Sequence, residues 1–194
     1  RHQIVMDSIL MRYGCEIDSG GLLEAKRSGQ GNFDFLKAKG LSETLAFHVS
    51  AAWRSEIEEL EWLREDSLYS DSWDFLSRIQ ADLVLCSARS NEVNLRSQLG
   101  WLQLDSYLCG IACVPPDDDV IASKAKAGQS AGTQLVIGDS DIDALAASAL
   151  GLPFFLLHRG FRGRRYLAGH GWQSHAELPD ISSGLKNLVG LNGA

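Results

Sequence analysis

The stretch QLVIGDSDIDALAASALG, residues 134–151, decides the fold. Gln134 to Ile137 is short, largely apolar and bounded by polar and turn residues, which predicts a buried strand. From Ile142 onward Ile142, Leu145, Ala146 and Ala149 recur at helical spacing until Gly151, which predicts a helix that begins as soon as the strand ends. Working outward, Leu83 to Cys86, Tyr107 to Val114 and Pro153 to Leu157 read as strands of the same kind. Between the first two lies a helix with Leu95, Leu99 and Leu102 on one face and Ser90 or Asn91 as its cap. Strands alternating with helices predict an α/β fold built on a parallel sheet covered on both faces.

Upstream the texture differs. His2 to Tyr13 carries apolar residues at helical spacing, with Gly14 placed as a stop. Residues 15 to 66 hold no strand-like run, and Leu41 to Glu65 reads as amphipathic helix with Trp53, Ile57, Leu60 and Leu63 on its packed face. The expected organisation is an opening helix (1–14), a helical block (15–66) and an α/β region (67–194).

Composition narrows the function classes. Twenty-five acidic against 18 basic residues give a net charge of −7 and a pI near 5.2. That balance argues against nucleic acid or an anionic membrane as the main partner, since both demand a basic face. A small anionic ligand needs only local positive charge, for which His158, Arg159, Arg162, Arg164 and Arg165 are one source; the same run also reads as a solvated turn. Four cysteines lack the paired spacings of a zinc site, and three lie in strand-like runs. Buried reduced thiols are expected, and with them a cytoplasmic location. The five tryptophans fit a core as well as an interface, which leaves the oligomeric state open.

Three segments carry chemistry. In Gly138-Asp139-Ser140-Asp141-Ile142-Asp143, Asp139 falls at the carboxyl end of a strand, where ligands bind in open parallel sheets. Asp143 lies four residues on, on the same face of the first helical turn. Two carboxylates aimed at one point repel unless a hard divalent cation, bound partly by water, lies between them. Aspartates at a helix start also stabilise its dipole, but a cap needs one of them and here there are three. Second, Ser87 ends the first strand, and its hydroxyl with the following backbone N–H of Ala88 forms a cradle for a phosphate oxygen; it also fits a capping serine. Third, Lys124, near the start of a short helix, could bring an ammonium to the same crevice; an isolated lysine on a polar segment is usually solvated, and it is singled out only beside the other two.

In order and spacing, Ser87, Lys124 and Gly138-Asp139 with Asp143 resemble motifs two, three and four of the haloacid-dehalogenase-like superfamily. Leu68 to Asp71 with Phe75-Leu76, Gly160-Phe161-Arg162, and Ala176 to Leu185 are similar to its phosphoglycolate-phosphatase-like branch. The resemblance implies a three-layer, Rossmann-like core with a small helical cap over residues 15–66. It also implies Mg²⁺ held by Asp139 and Asp143, phosphoryl binding by Ser87, Ala88 and Lys124, and hydrolysis of a small phosphorylated metabolite. Arg27, Gln30 and Asn32, around a Gly29-Gln30-Gly31 segment similar to the branch's cap loop, are the candidates for substrate choice.

Two features depart from that pattern. The family's Asp-x-Asp, nucleophile and general acid–base on a central first strand, is not found near Arg1, and is expected about 15 to 25 residues upstream, the length of a strand and loop. Without that strand its neighbours would leave backbone groups unpaired at about 1 to 3 kcal/mol each. The interval from Lys124 to Asp139 is short for the family, which leaves Lys126 as an alternative motif lysine. The same fold also supports phosphomutases and dehalogenases, or a non-catalytic relative that binds a phosphorylated ligand; a dehalogenase does not need two carboxylates arranged for a metal.

Overall fold

The computed structural model describes residues 1–181, so the last part of the Ala176 to Leu185 segment lies outside the described residues. In chain order the elements are α1 (His2–Arg12), α2 (Leu22–Arg27), α3 (Asn32–Ala38), α4 (Glu43–Glu56), α5 (Leu60–Leu63), α6 (Ser72–Arg78), β1 (Val84–Ala88), α7 (Glu92–Trp101), β2 (Gly110–Val114), α8 (Val120–Ser130), β3 (Val136–Gly138), α9 (Asp141–Ala149), β4 (Phe154–Leu156) and α10 (Arg164–Gly169). Each expected strand is present, within a few residues of its predicted span. Among the described residues no helix is long and apolar enough to cross a membrane.

The chain divides into two compact units: residues 1–67 with 91–102, and 68–90 with the chain from 103 onward. The first is entirely helical. Val5, Met6, Ile9 and Leu10 of α1 pack with Leu22, Leu36, Val49 and Trp53 in one buried cluster, which ties α1 to the helical block. α7 joins the same unit although it connects β1 to β2 in sequence. Asn91 caps it by accepting from Asn94 N at 3.0 Å, Asn94 Nδ2 donates to the Glu58 carbonyl at 2.8 Å, and Gln98 Nε2 donates to Asp66 at 2.7 Å. The expected continuous helix from Leu41 to Glu65 breaks at residues 57–59. Trp53, Ile57 and Leu63 remain buried, while Leu60, beyond the break, turns outward at 40% exposure. The tryptophans also divide: Trp53 is core, whereas Trp73 and Trp101 are exposed.

In the second unit the strands form two parallel pairs, β1 with β2 and β3 with β4. β1 runs in register from Val84 opposite Gly110 to Ala88 opposite Val114, and β3 from Val136 opposite Phe154 to Gly138 opposite Leu156. Side chains alternate across a strand, and both faces of β3–β4 are covered. Ile137 and Phe155 pack with Phe75 and Leu76 of α6, while Phe154 and Leu156 pack with Ala144 of α9 and Leu167 of α10. The face α9 buries is Ala144, Ala146 and Ala147, and Leu145 is 42% exposed, so the helix is rotated from the phase its larger side chains suggest. Close approach of the helix to the sheet explains the rotation, because alanines permit it and leucine does not. The four cysteines are free, and Cys109, expected buried, is exposed.

Part of the basic run serves this core. Arg159 Nη2 donates to Asp71 Oδ1 at 2.8 Å, Leu178 N donates to Asp71 Oδ2 at 2.9 Å, and the guanidinium lies 4.3 Å from the centre of the Tyr69 ring. The Arg159 hydrogen bond holds the Asp71 carboxyl below its ordinary pKa, against burial, which raises it. A depressed folded-state pKa contributes stability above the unfolded value of about 4 and loses it as pH falls through the folded one. Asp71→Asn should therefore cost about 1 kcal/mol near pH 7. Thermal melts should show that gap closing as the pH is lowered below about 4.

Candidate active site

β3 ends at Gly138, and the chain passes through Asp139 and Ser140 into α9. The start of α9 is a capping box: Ser140 Oγ accepts from Asp143 N at 3.4 Å, and Asp143 Oδ2 accepts from Ser140 N at 3.2 Å. The same Oδ2 accepts from Ser140 Oγ at 2.7 Å and from Asp139 N at 3.2 Å. Its other oxygen, Oδ1, accepts from Lys124 Nζ of α8 at 2.5 Å, and both side chains of this ion pair are nearly enclosed, at 13% and 12% exposure. Gly138 makes this possible. A Cβ there would stand 2.3 Å from Asp143 Cβ.

Asp139 has a different environment. Burial pushes its carboxyl pKa up, the nearby Asp143 charge adds to the rise, and a hydrogen bond from Phe161 N to Oδ2 at 2.7 Å opposes it together with Lys124. This carboxylate is thus costly to ionise without a cation beside it. Oxygen donors of this kind suit a hard divalent ion such as Mg²⁺, completed by water. Among the described residues no three His, Cys, Asp or Glu side chains gather as a ready-made metal cluster, so Asp139 and Asp143 would supply part of a ligand set.

Asp141, the third acid of the segment, is occupied elsewhere. Arg162 Nε donates to its Oδ1 at 2.8 Å and Tyr166 OH to its Oδ2 at 3.2 Å. The crowding of three acids is therefore explained in part by an ion pair, and Arg162 is not a loose surface cation. Arg164 and Arg165 are exposed.

Lys124 and Asp143 meet directly, whereas Lys126 is exposed. Cys86 of β1 joins them in lining a cavity of about 160 Å³ that also touches Val84, Leu135 and Ile137. Ser87 follows Cys86 in β1 and pairs in register with Cys113, and Ala88 is the last residue of the strand. The structure therefore brings Asp139, Asp143 and Lys124 together; Lys124 and Asp143 share the cavity with Val84, Leu85 and Cys86 of β1, whereas Asp139, Ser87 and Ala88 are not among its lining residues. Arg27 at the end of α2, Gln30 in the following turn and Asn32 at the start of α3 belong to the first unit. The Asn32 side-chain oxygen is buried without a hydrogen-bond partner.

Solved structures with this architecture share little sequence with it. A protein of Clostridium acetobutylicum described as a predicted phosphatase superposes with a TM-score of 0.72 at 17% identity, covering 96% of this chain and 90% of its own. A haloacid dehalogenase-like hydrolase of Streptococcus pneumoniae gives 0.71 at 16%, covering 94% and 90%. This is a haloacid-dehalogenase-like fold. Protein tyrosine kinase A of Mycobacterium tuberculosis also matches, with a TM-score of 0.71 at 19% identity over 95% of this chain and 90% of its own. The haloacid-dehalogenase-like fold thus does not by itself choose a chemistry. In sequence, a phosphoglycolate phosphatase of Cereibacter sphaeroides is 31% identical over 122 residues, 59% of this chain and 52% of the relative. The matched chain spans about half of that relative's length. No family model matches the chain.

Proposed function

We propose that the complete protein is a Mg²⁺-dependent phosphohydrolase of small phosphate monoesters, working through an aspartyl-phosphate in a reducing, cytoplasmic setting. The observation that carries this is the Lys124, Asp143 and Asp139 cluster at the end of β3, of which Lys124 and Asp143 line a cavity together with β1. In this reading residues 15–66 are the cap and the α/β region is a three-layer core, while α1 packs with the helical unit. Asp139 and Asp143 would hold the ion, which would supply neutralisation of charge on the phosphoryl oxygens. The Ser87 hydroxyl, the Ala88 N–H and the Lys124 ammonium bind those oxygens and keep the phosphorus in line for attack. Arg27, Gln30 and Asn32 are the candidates for substrate choice in this reading. The name of the Cereibacter sphaeroides relative makes phosphoglycolate the first substrate to try.

The nucleophile in this scheme is an aspartate on a strand lying between β1 and β3. Both of those strands pair on one side only among the described residues, and both line the cavity. An inserted parallel strand would satisfy their open backbone edges and carry its terminal carboxylate toward Asp139. Water then hydrolyses the aspartyl-phosphate and releases phosphate.

The test is phosphate release from phosphoglycolate and from an aryl phosphate by the complete protein, with and without Mg²⁺. Metal-dependent hydrolysis that Asp139→Ala abolishes is expected. Hydrolysis unaffected by that substitution, or none at all, sinks the reading.

A further inference from the structure

The loop after β4 approaches Asp139 more closely than any residue with a side chain could. A Cβ on Gly160 would lie 1.9 Å from Asp139 Oδ2 and 2.6 Å from both its Cβ and Cγ. Contacts that short do not occur between real atoms. The backbone at Gly160 is not in the left-handed region, so glycine is required here for space and not for a special φ. Around it the loop grips the start of α9 at three points. Phe161 N donates to Asp139 Oδ2 at 2.7 Å, Arg162 N donates to the Asp139 carbonyl at 3.0 Å, and Arg162 Nε reaches Asp141 at 2.8 Å. The Arg162 guanidinium lies 4.7 Å from the Phe161 ring centre and 5.0 Å from that of Tyr166, which fixes its direction.

We propose that Gly160 and the Phe161 amide are positioning residues that set the orientation of the Asp139 carboxylate, engaging Oδ2 and presenting Oδ1 to a divalent cation. The inference deepens the phosphohydrolase reading and rests on it for the identity of the ion. Its physical basis is that a side-chain carboxylate rotates freely unless a second group holds one oxygen, and outer-shell bonds of this kind tune ligand geometry and affinity. A backbone amide holds an ionised carboxylate with a charge-assisted bond and has no side-chain freedom of its own. Gly160 is what lets that amide come within reach.

Mn²⁺ serves as the probe, since carboxylate and water ligands accept it in place of Mg²⁺ and its free ion is counted directly by electron paramagnetic resonance. In the complete protein, Gly160→Ala should weaken Mn²⁺ binding by roughly 10- to 100-fold, with kcat falling and KM for the phosphate ester little changed. Arg162→Met, which spares the contact to Oδ2, should keep Mn²⁺ affinity within about threefold of the parent, well short of that loss. Equal Mn²⁺ affinity in the parent and Gly160→Ala overturns the proposal. A second measurement does not depend on Gly160→Ala folding. In the parent the Phe161 amide proton should resonate downfield as a charge-assisted donor and move upfield in Asp139→Asn; a Phe161 signal indifferent to that change also overturns it. If the parent binds no Mn²⁺, the metal reading itself fails, and the amide shift alone decides whether the clamp exists.

Discussion

Asp143→Ala should cost about 3 to 5 kcal/mol of folding stability, the scale of stripping one partner from a buried ion pair. The carboxylate accepts from Lys124 Nζ, Asp139 N, Ser140 N and Ser140 Oγ. Alanine removes half of the capping box, worth about 1 kcal/mol alone, and leaves the Lys124 ammonium, 13% exposed, without its counter-charge. The larger share of the loss is thus the stranded cation. That makes a second expectation: Asp143→Ala with Lys124→Met should recover about 2 kcal/mol relative to Asp143→Ala, because removing both charges of a buried pair is far less costly than removing one. Urea titrations of the complete protein and its three variants measure the cycle. A loss under about 1 kcal/mol for Asp143→Ala, or no recovery in the double variant, would mean that solvent already screens the pair.

The strands were legible in the sequence because each is a short apolar run closed by turn or polar residues, as in Leu83 to Cys86 and Gln134 to Ile137. The break after α4 was not. Residues 57–59, Ile-Glu-Glu, include neither glycine nor proline, and Ile57 and Leu63 on either side of the break are buried while Leu60 is exposed. The phase of α9 was also hidden, since the larger side chains Ile142 and Leu145 mark one face while the helix buries Ala144, Ala146 and Ala147. Among the candidate site residues, Asp139, Asp143 and Lys124 could be picked out by residue type and by position after a strand or near a helix start, and the structure places them together. Arg162 and Arg159 did not, because their partners Asp141 and Asp71 lie 21 and 88 residues away. Gly160 carried no local signal of its contact either: the clash that forbids a side chain depends on where β4 places the loop against Asp139.

Asp139→Asn should make the protein more stable and less active at once. Burial and the neighbouring Asp143 raise the Asp139 pKa, and a raised folded-state pKa reverses the sign found at Asp71. The protonated carboxyl contributes stability fully present below its unfolded value, and that contribution is lost as pH rises through the folded one. Near pH 7 without divalent cation, the ionised side chain is therefore a liability that the fold tolerates. Asparagine keeps an oxygen for the Phe161 N–H and carries no charge, so the variant should gain about 1 kcal/mol, as often happens when strain kept for function is relieved. The gain should shrink toward zero as pH is lowered. Saturating Mg²⁺ should stabilise the parent by about 2.7 kcal/mol at a hundredfold excess over Kd, raising its melting temperature, and leave the variant unmoved. Phosphate release should fall by two to three orders of magnitude, the scale of losing one preorganised electrostatic partner. Melting curves across pH with and without Mg²⁺, on the complete protein, test all of this. A variant less stable than its parent at neutral pH, and stabilised by Mg²⁺ to the same degree, would show that Asp139 is a structural acid and not the ion's ligand.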